Sequence, residues 1–199
     1  MGLIEVAGDR RPKVGERACG DAWLHVERGS VAFLAIVDGL GHGVDAAHAA
    51  ETALDLLRSR VPLQEQTPDL ASLLCELHQE LRGSRGVVAG LARIDSLAEV
   101  IDYVGVGNTE VRLVSDAPSH LYSRSGLIGD GRPLRPVVRQ AHFPPGALLI
   151  LHTDGVGPVA LEKVPRSLSC AQIARLLIQK WARPDDDAAV VVVRCQEDP

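Results

Sequence analysis

Val31-Ala32-Phe33-Leu34-Ala35-Ile36-Val37 runs directly into Asp38-Gly39-Leu40-Gly41-His42-Gly43. An uninterrupted apolar run of this kind reads as a strand buried on both faces. Glycines at the density that follows let the backbone turn sharply and approach a ligand closely. A carboxylate at the mouth of a buried strand is fixed in place, and fixed oxygens are what hard divalent cations need. Taken alone, the Asp-Gly pair reads first as a strand-to-helix turn.

The same shape returns further along. Ala147-Leu148-Leu149-Ile150-Leu151 leads into His152-Thr153-Asp154-Gly155-Val156-Gly157, and Asp185-Asp186-Asp187 comes immediately before Ala188-Ala189-Val190-Val191-Val192-Val193. Three carboxylate-bearing ends of buried strands point to one shared site. Two carboxylates about 4 Å apart repel by roughly 4 kcal/mol at an effective dielectric of 20. A dication reverses that sign, so metal binding is the natural reason to gather them.

Around this centre the chain reads as strands with grouped helices. A short strand is expected over residues 2–8, then a basic loop with Arg10, Arg11, Lys13 and Arg17, a strand over 22–26 opened by Asp21, and a hairpin turn at 27–30. Alanines and leucines at helical spacing predict a helix over 44–60, closed by Pro62. A second helix is expected from Thr67-Pro68-Asp69 to about Leu81, with Pro68 in its first turn. Residues 87–94, 98–106, 109–114 and 120–123 read as a meander, 124–136 as a polar loop or long hairpin, and 137–143 with 146–153 as paired strands around Pro144-Pro145. A helix over 169–180, with Ile173, Leu176, Leu177 and Trp181 on one side, precedes a last strand over 188–194. Hairpin-joined strands with grouped helices predict an α+β fold, a four-layer sandwich of two stacked antiparallel sheets flanked by helices.

Composition narrows the classes. At 199 residues and 46% hydrophobic content, one domain spanning 1–199 is expected. No segment approaches the roughly 18 to 20 apolar residues of a membrane helix, and no secretory signal is visible, so a cytoplasmic protein is expected. Cys19, Cys75, Cys170 and Cys195 form no CxxC pair and read as reduced thiols. A net charge of −5 with 3% aromatic residues argues against a nucleic-acid partner.

Asp21, the Asp38–Gly43 run, Thr153-Asp154-Gly155 and Asp186-Asp187 occur in an order that resembles the metal-dependent serine/threonine phosphatases of the type 2C (PPM) family. The pattern is most similar to the bacterial branch that contains SpoIIE and RsbX, and it covers nearly the whole chain. The resemblance implies two Mn²⁺ or Mg²⁺ ions, with Asp38 bridging them and the Gly39 carbonyl binding one. It implies Asp154 and Asp186 as ligands of the other ion and Asp21 as the holder of a metal-bound water. It further implies hydrolysis of phosphoserine or phosphothreonine by a water shared between the ions, with phosphorylated STAS-domain proteins of a stressosome, scaffold and antagonist, as substrates. An all-oxygen ligand set suits those cations.

Other residues stay open. His42 reads as a general acid or a turn histidine, and His152 as an acid or a core-edge hydrogen-bonding group. Arg17 reads as a phosphate-gripping residue or a solvated one. Arg124, Arg132, Arg135 and Arg139 read first as a solvated hairpin face and alternatively as a docking strip for an acidic phosphoprotein. A non-catalytic binding module that sequesters a partner, and a phosphatase for a small metabolite, are the competing function classes.

Overall fold

The computed structural model describes residues 4–61, 69–115, 119–158 and 164–196. The elements in order are β1 (Ile4–Arg11), β2 (Asp21–Arg28), β3 (Val31–Gly39), α1 (Val44–Arg60), α2 (Leu70–Glu80), β4 (Val87–Asp95) and β5 (Val100–Val106). They continue with β6 (Glu110–Val114), β7 (Ser119–Tyr122), β8 (Arg139–His142), β9 (Leu148–His152), α3 (Cys170–Trp181) and β10 (Ala188–Cys195). One sheet runs β1-β10-β9-β6-β7 and the other β2-β3-β4-β5-β8, and each ladder between these strands is antiparallel.

Side-chain alternation along the two central strands sets the layers. Leu34 and Ile36 of β3 meet Val191 and Val193 of β10, with Leu149 and Leu151 of β9, between the sheets. The opposite face of β3, Phe33, Ala35 and Val37, packs on α1 and α2 through Ala50, Ala53, Leu57, Leu73 and Leu77. The opposite face of β10, Ala188, Val190 and Val192, packs on Ile173, Ala174 and Leu177 of α3. Both strands are buried on both faces, as their continuous apolar runs require. The result is helices, sheet, sheet, helix: the expected four-layer α+β sandwich.

The helix starts follow local chemistry. Asp69 caps α2, accepting hydrogen bonds from Ala71 N at 3.3 Å and Ser72 N at 3.1 Å. Ser169 and Gln172 form a capping box at the start of α3. The expected stop at Pro62 and start at Thr67-Pro68 lie outside the described residues. On α3 the buried face is Ile173, Ala174, Leu177 and Ile178. Leu176, expected on that face, is only half-buried and borders a shallow surface groove.

Strand pairing departs from expectation twice. The segments around Pro144-Pro145 do not pair with each other: β8 pairs with β5, whereas β9 pairs with β10 and β6. The prolines carry the chain from one sheet to the other, and Phe143, fully buried, plugs the gap between them. The meander is likewise cut in two, with β4–β5 in one sheet and β6–β7 in the other. The crossing is the Gly107-Asn108 corner, where Gly107 has φ +99° and an added Cβ would lie 2.2 Å from Val88. Only glycine fits that approach.

Candidate metal centre

The acidic strand ends converge. Asp38 at the end of β3, Asp154 just after β9 and Asp186 just before β10 line one cavity of about 320 Å³ with Asp185, Asn108, Lys13, Val88 and the Leu40-Gly41-His42 turn. Close backbone approaches bring them there. A Cβ on Gly155 would sit 1.6 Å from the Asp187 carbonyl oxygen, and one on Gly39 would sit 2.1 Å from the Ala46 carbonyl oxygen. The glycine of each Asp-Gly pair therefore lets its aspartate-bearing turn press against a neighbouring segment. Gly43 follows at φ +75° as the N-cap of α1, which supplies no side-chain cap of its own.

Asp21 stands behind the cavity and does not line it. It is the register partner of Asp38, is only 2% exposed, and accepts a 2.5 Å hydrogen bond from the Thr153 hydroxyl. Thr153 Oγ1 in turn accepts from Ala189 N at 3.0 Å, tying β2, β9 and β10 together directly under the carboxylates. Gly39 is buried as well, its N–H donating to the Gly20 carbonyl at 3.0 Å.

The electrostatics are those of crowded, partly buried carboxyls. Burial, then the neighbouring Asp38, pushes the Asp21 carboxyl from 3.8 up to about 9. Burial, then Asp154 and Asp186, pushes Asp38 up to about 7. Asp186 is raised by burial and by Asp154. Asp187 is 2% exposed; its Oδ1 accepts from Lys13 N at 2.8 Å, but its Oδ2 is buried with no hydrogen-bond partner. Oxygen donors, raised carboxyls and an orphaned carboxylate oxygen all fit divalent cations. Among the described residues, no three acidic, histidine or cysteine side chains stand close enough to enclose one ion by themselves.

Two residues not singled out in the sequence for this role shape the cavity. The Asn108 amide donates to Asp154 Oδ2 at 2.6 Å and fixes that carboxylate. Lys13 is among the lining residues, its backbone N–H donating to Asp187 Oδ1, whereas Arg17 is exposed and is not among them. Glu16 Oε1 lies 2.8 Å from His42 Nδ1, orienting a ring that faces the cavity. His152 is instead buried, hydrogen-bonded through Nδ1 to the Thr153 carbonyl at 2.9 Å, with burial lowering its pKa. It is the core-edge histidine of the two readings. Asn108 sits in a glycine corner and Lys13 in a basic loop, so neither carries a signal that sets it apart from an ordinary turn or surface residue.

Two stacked antiparallel sheets bring acidic strand ends together, and the comparisons supply the phosphatase class that shares this fold. The chain belongs to the SpoIIE family: residues 28–196 match the family described as Stage II sporulation protein E (SpoIIE). Phosphoserine phosphatase RsbX of Bacillus subtilis (strain 168) is 25% identical over 183 residues, covering 90% of this chain and 89% of RsbX. A chain from a structural study of the bacterial stressosome as a modular system adapted to control secondary messenger signaling is 35% identical. It superposes with a TM-score of 0.88 over 96% of this chain and 100% of that one. RsbX crystallised in complex with magnesium is 20% identical, with a TM-score of 0.85 over 98% of this chain and 100% of that one, which establishes the shared fold. Among the described residues, no helix is long and apolar enough to cross a membrane.

Proposed function

We propose that this chain, with residues 1–199 acting as one catalytic domain, is a Mn²⁺- or Mg²⁺-dependent protein phosphatase that hydrolyses phosphoserine and phosphothreonine. Its substrates, on this reading, are phosphorylated STAS-domain proteins of a stressosome, the scaffold and its antagonist. The observation that carries the reading is the meeting of Asp38, Asp154 and Asp186 in one cavity, although they are far apart in sequence. The relatives support it: RsbX is named a phosphoserine phosphatase, and one RsbX structure contains magnesium.

Asp38, Asp154, Asp186 and the Gly39 carbonyl would hold two ions, with Asp21 reaching them through water. Divalent cations bound there supply the positive charge that offsets carboxylates and phosphoryl oxygens and lower the pKa of attacking water. The chain's own groups do the rest. Thr153 holds Asp21, the register partner of Asp38, Asn108 fixes Asp154, and Lys13 offers positive charge to the phosphoryl oxygens. Glu16 occupies His42 Nδ1, leaving Nε2 to carry a proton for the departing seryl oxygen. The free state of the four cysteines agrees with a cytoplasmic setting.

The test is incubation of purified protein with Mn²⁺ and a phosphoserine STAS-domain protein, followed by mass spectrometry of the latter. Loss of the phosphoryl group, stopped by chelator, is expected. An unaltered phosphoprotein, or equal loss in chelator, would refute the reading, and stoichiometric binding without turnover would favour the sequestering module.

A further inference from the structure

The chain carries a net charge of −5, yet residues 122–139 hold four arginines against one aspartate. Arg124, Arg132, Arg135 and Arg139 are all exposed. Arg124 Nη1 donates to the Arg135 carbonyl at 3.4 Å and Arg139 Nε to the Tyr122 carbonyl at 3.2 Å. Among the described residues none of these three meets a carboxylate, while Arg132 lies 4.0 Å from Asp130 with its side chain 87% exposed. Apolar groups are interleaved with them, Tyr122 at 58% exposure and Val137 and Val138 at about 40%.

This segment is anchored to the rim of the cavity. Gly107 N donates to the Arg124 carbonyl at 2.7 Å, and Arg124 N to the Gly105 carbonyl at 2.9 Å, beside the cavity-lining Asn108. Val87 and Ile128 exchange hydrogen bonds of 3.0 and 2.9 Å, beside the cavity-lining Val88. Ile128 is fully buried, and Gly129, at φ +96°, lies against the Leu81 carbonyl. The strip is therefore held in a fixed position next to the site.

We propose that residues 122–139 form a docking strip for an acidic surface of the phosphorylated substrate protein, holding that protein while its phosphoresidue enters the cavity. The proposal rests on the phosphatase reading above and adds the surface that selects a protein over a small ester. Arginine and tyrosine interleaved with aliphatic groups is the composition of a protein interface. Tyrosine and valine side chains set between the arginines suit a folded protein surface rather than the continuous phosphates of a nucleic acid or an anionic membrane.

The test compares wild type with the Arg124→Gln/Arg132→Gln/Arg135→Gln/Arg139→Gln variant in Mn²⁺, using a phosphoserine STAS-domain protein and para-nitrophenyl phosphate as substrates. Removing steering charges is expected to lower kcat/KM for the phosphoprotein at least about tenfold at low salt and to flatten its salt dependence. Turnover of para-nitrophenyl phosphate should be unchanged, which also shows that the variant is folded; Arg135→Glu alone should give a smaller loss of the same selectivity. Undiminished phosphoprotein turnover, or equal loss on both substrates, would overturn the proposal. If wild type turns over neither substrate, the phosphatase reading fails by itself. Docking is then decided by anisotropy titration of the labelled phosphoprotein, where equal affinity for wild type and variant overturns it. Tighter arginine-dependent binding of a DNA duplex or phosphatidylglycerol vesicles would also overturn it.

Discussion

Asp38→Asn is expected to abolish phosphate release while raising the melting temperature of the cation-free protein. The two effects have one origin. Asp38 stands half-buried between Asp154 and Asp186 on one side and Asp21 on the other, and burial with these neighbours lifts its carboxyl to about 7. Asparagine is close in shape and removes the charge, so the repulsion stored in the chelated protein falls. The same change removes the oxygen charge best placed to serve both cations. Altering outer partners of a metal ligand costs roughly 10- to 100-fold, so loss of this central ligand should exceed about 100-fold. Phosphate release in Mn²⁺ and thermal denaturation in chelator measure the two halves. Activity close to wild type would show that Asp38 is not the centre of the reaction. A lowered melting temperature in chelator would show that the carboxylates do not repel one another in the fold.

In chelator, stability is expected to fall as pH rises, opposite to a protein held by ordinary carboxylate ion pairs. Asp21 and Asp38 have folded-state values of about 9 and about 7 against a usual 3.8. Between the unfolded and folded values the native state binds more protons than the unfolded state, so unfolding free energy decreases with pH. The loss should begin above about pH 4, pass through the Asp38 value and be complete once Asp21 ionises near pH 9. Cations bound only to the native state reverse it, contributing about 2.7 kcal/mol at a hundred times their dissociation constant. That gain should shrink toward about pH 5, where protons compete for the ligands. Denaturant unfolding with and without Mn²⁺ across this range is the measurement. Stability in chelator that rises with pH would contradict the arrangement of Asp21 under Asp38.

The acidic centre was largely legible because each part lies in a local pattern. Asp38, Asp154 and Asp186 terminate apolar runs too continuous to be anything but doubly buried strands, and glycines mark the tight approaches beside them. The layer order followed from the same runs. What escaped was set by non-local pairing. The short, exposed β8 carries no apolar pattern naming its partner, so its place beside β5 depends on where the Pro144-Pro145 corner directs the chain. Asn108 acts through a contact 46 positions away, and Glu16 through one 26 positions away. Asp21 came only from the resemblance, as the holder of a metal-bound water; its place opposite Asp38 and its bond from the Thr153 hydroxyl, 132 positions away, belong to the folded pairing.

The most direct measurement is anomalous diffraction at the manganese edge from crystals soaked in Mn²⁺. Two peaks among Asp38, Asp154 and Asp186, with the Gly39 carbonyl facing one of them, are expected. Crystals that show no peak in this cavity at saturating Mn²⁺, or peaks bound elsewhere on the chain, would contradict the assignment of these three strand ends to a shared pair of cations.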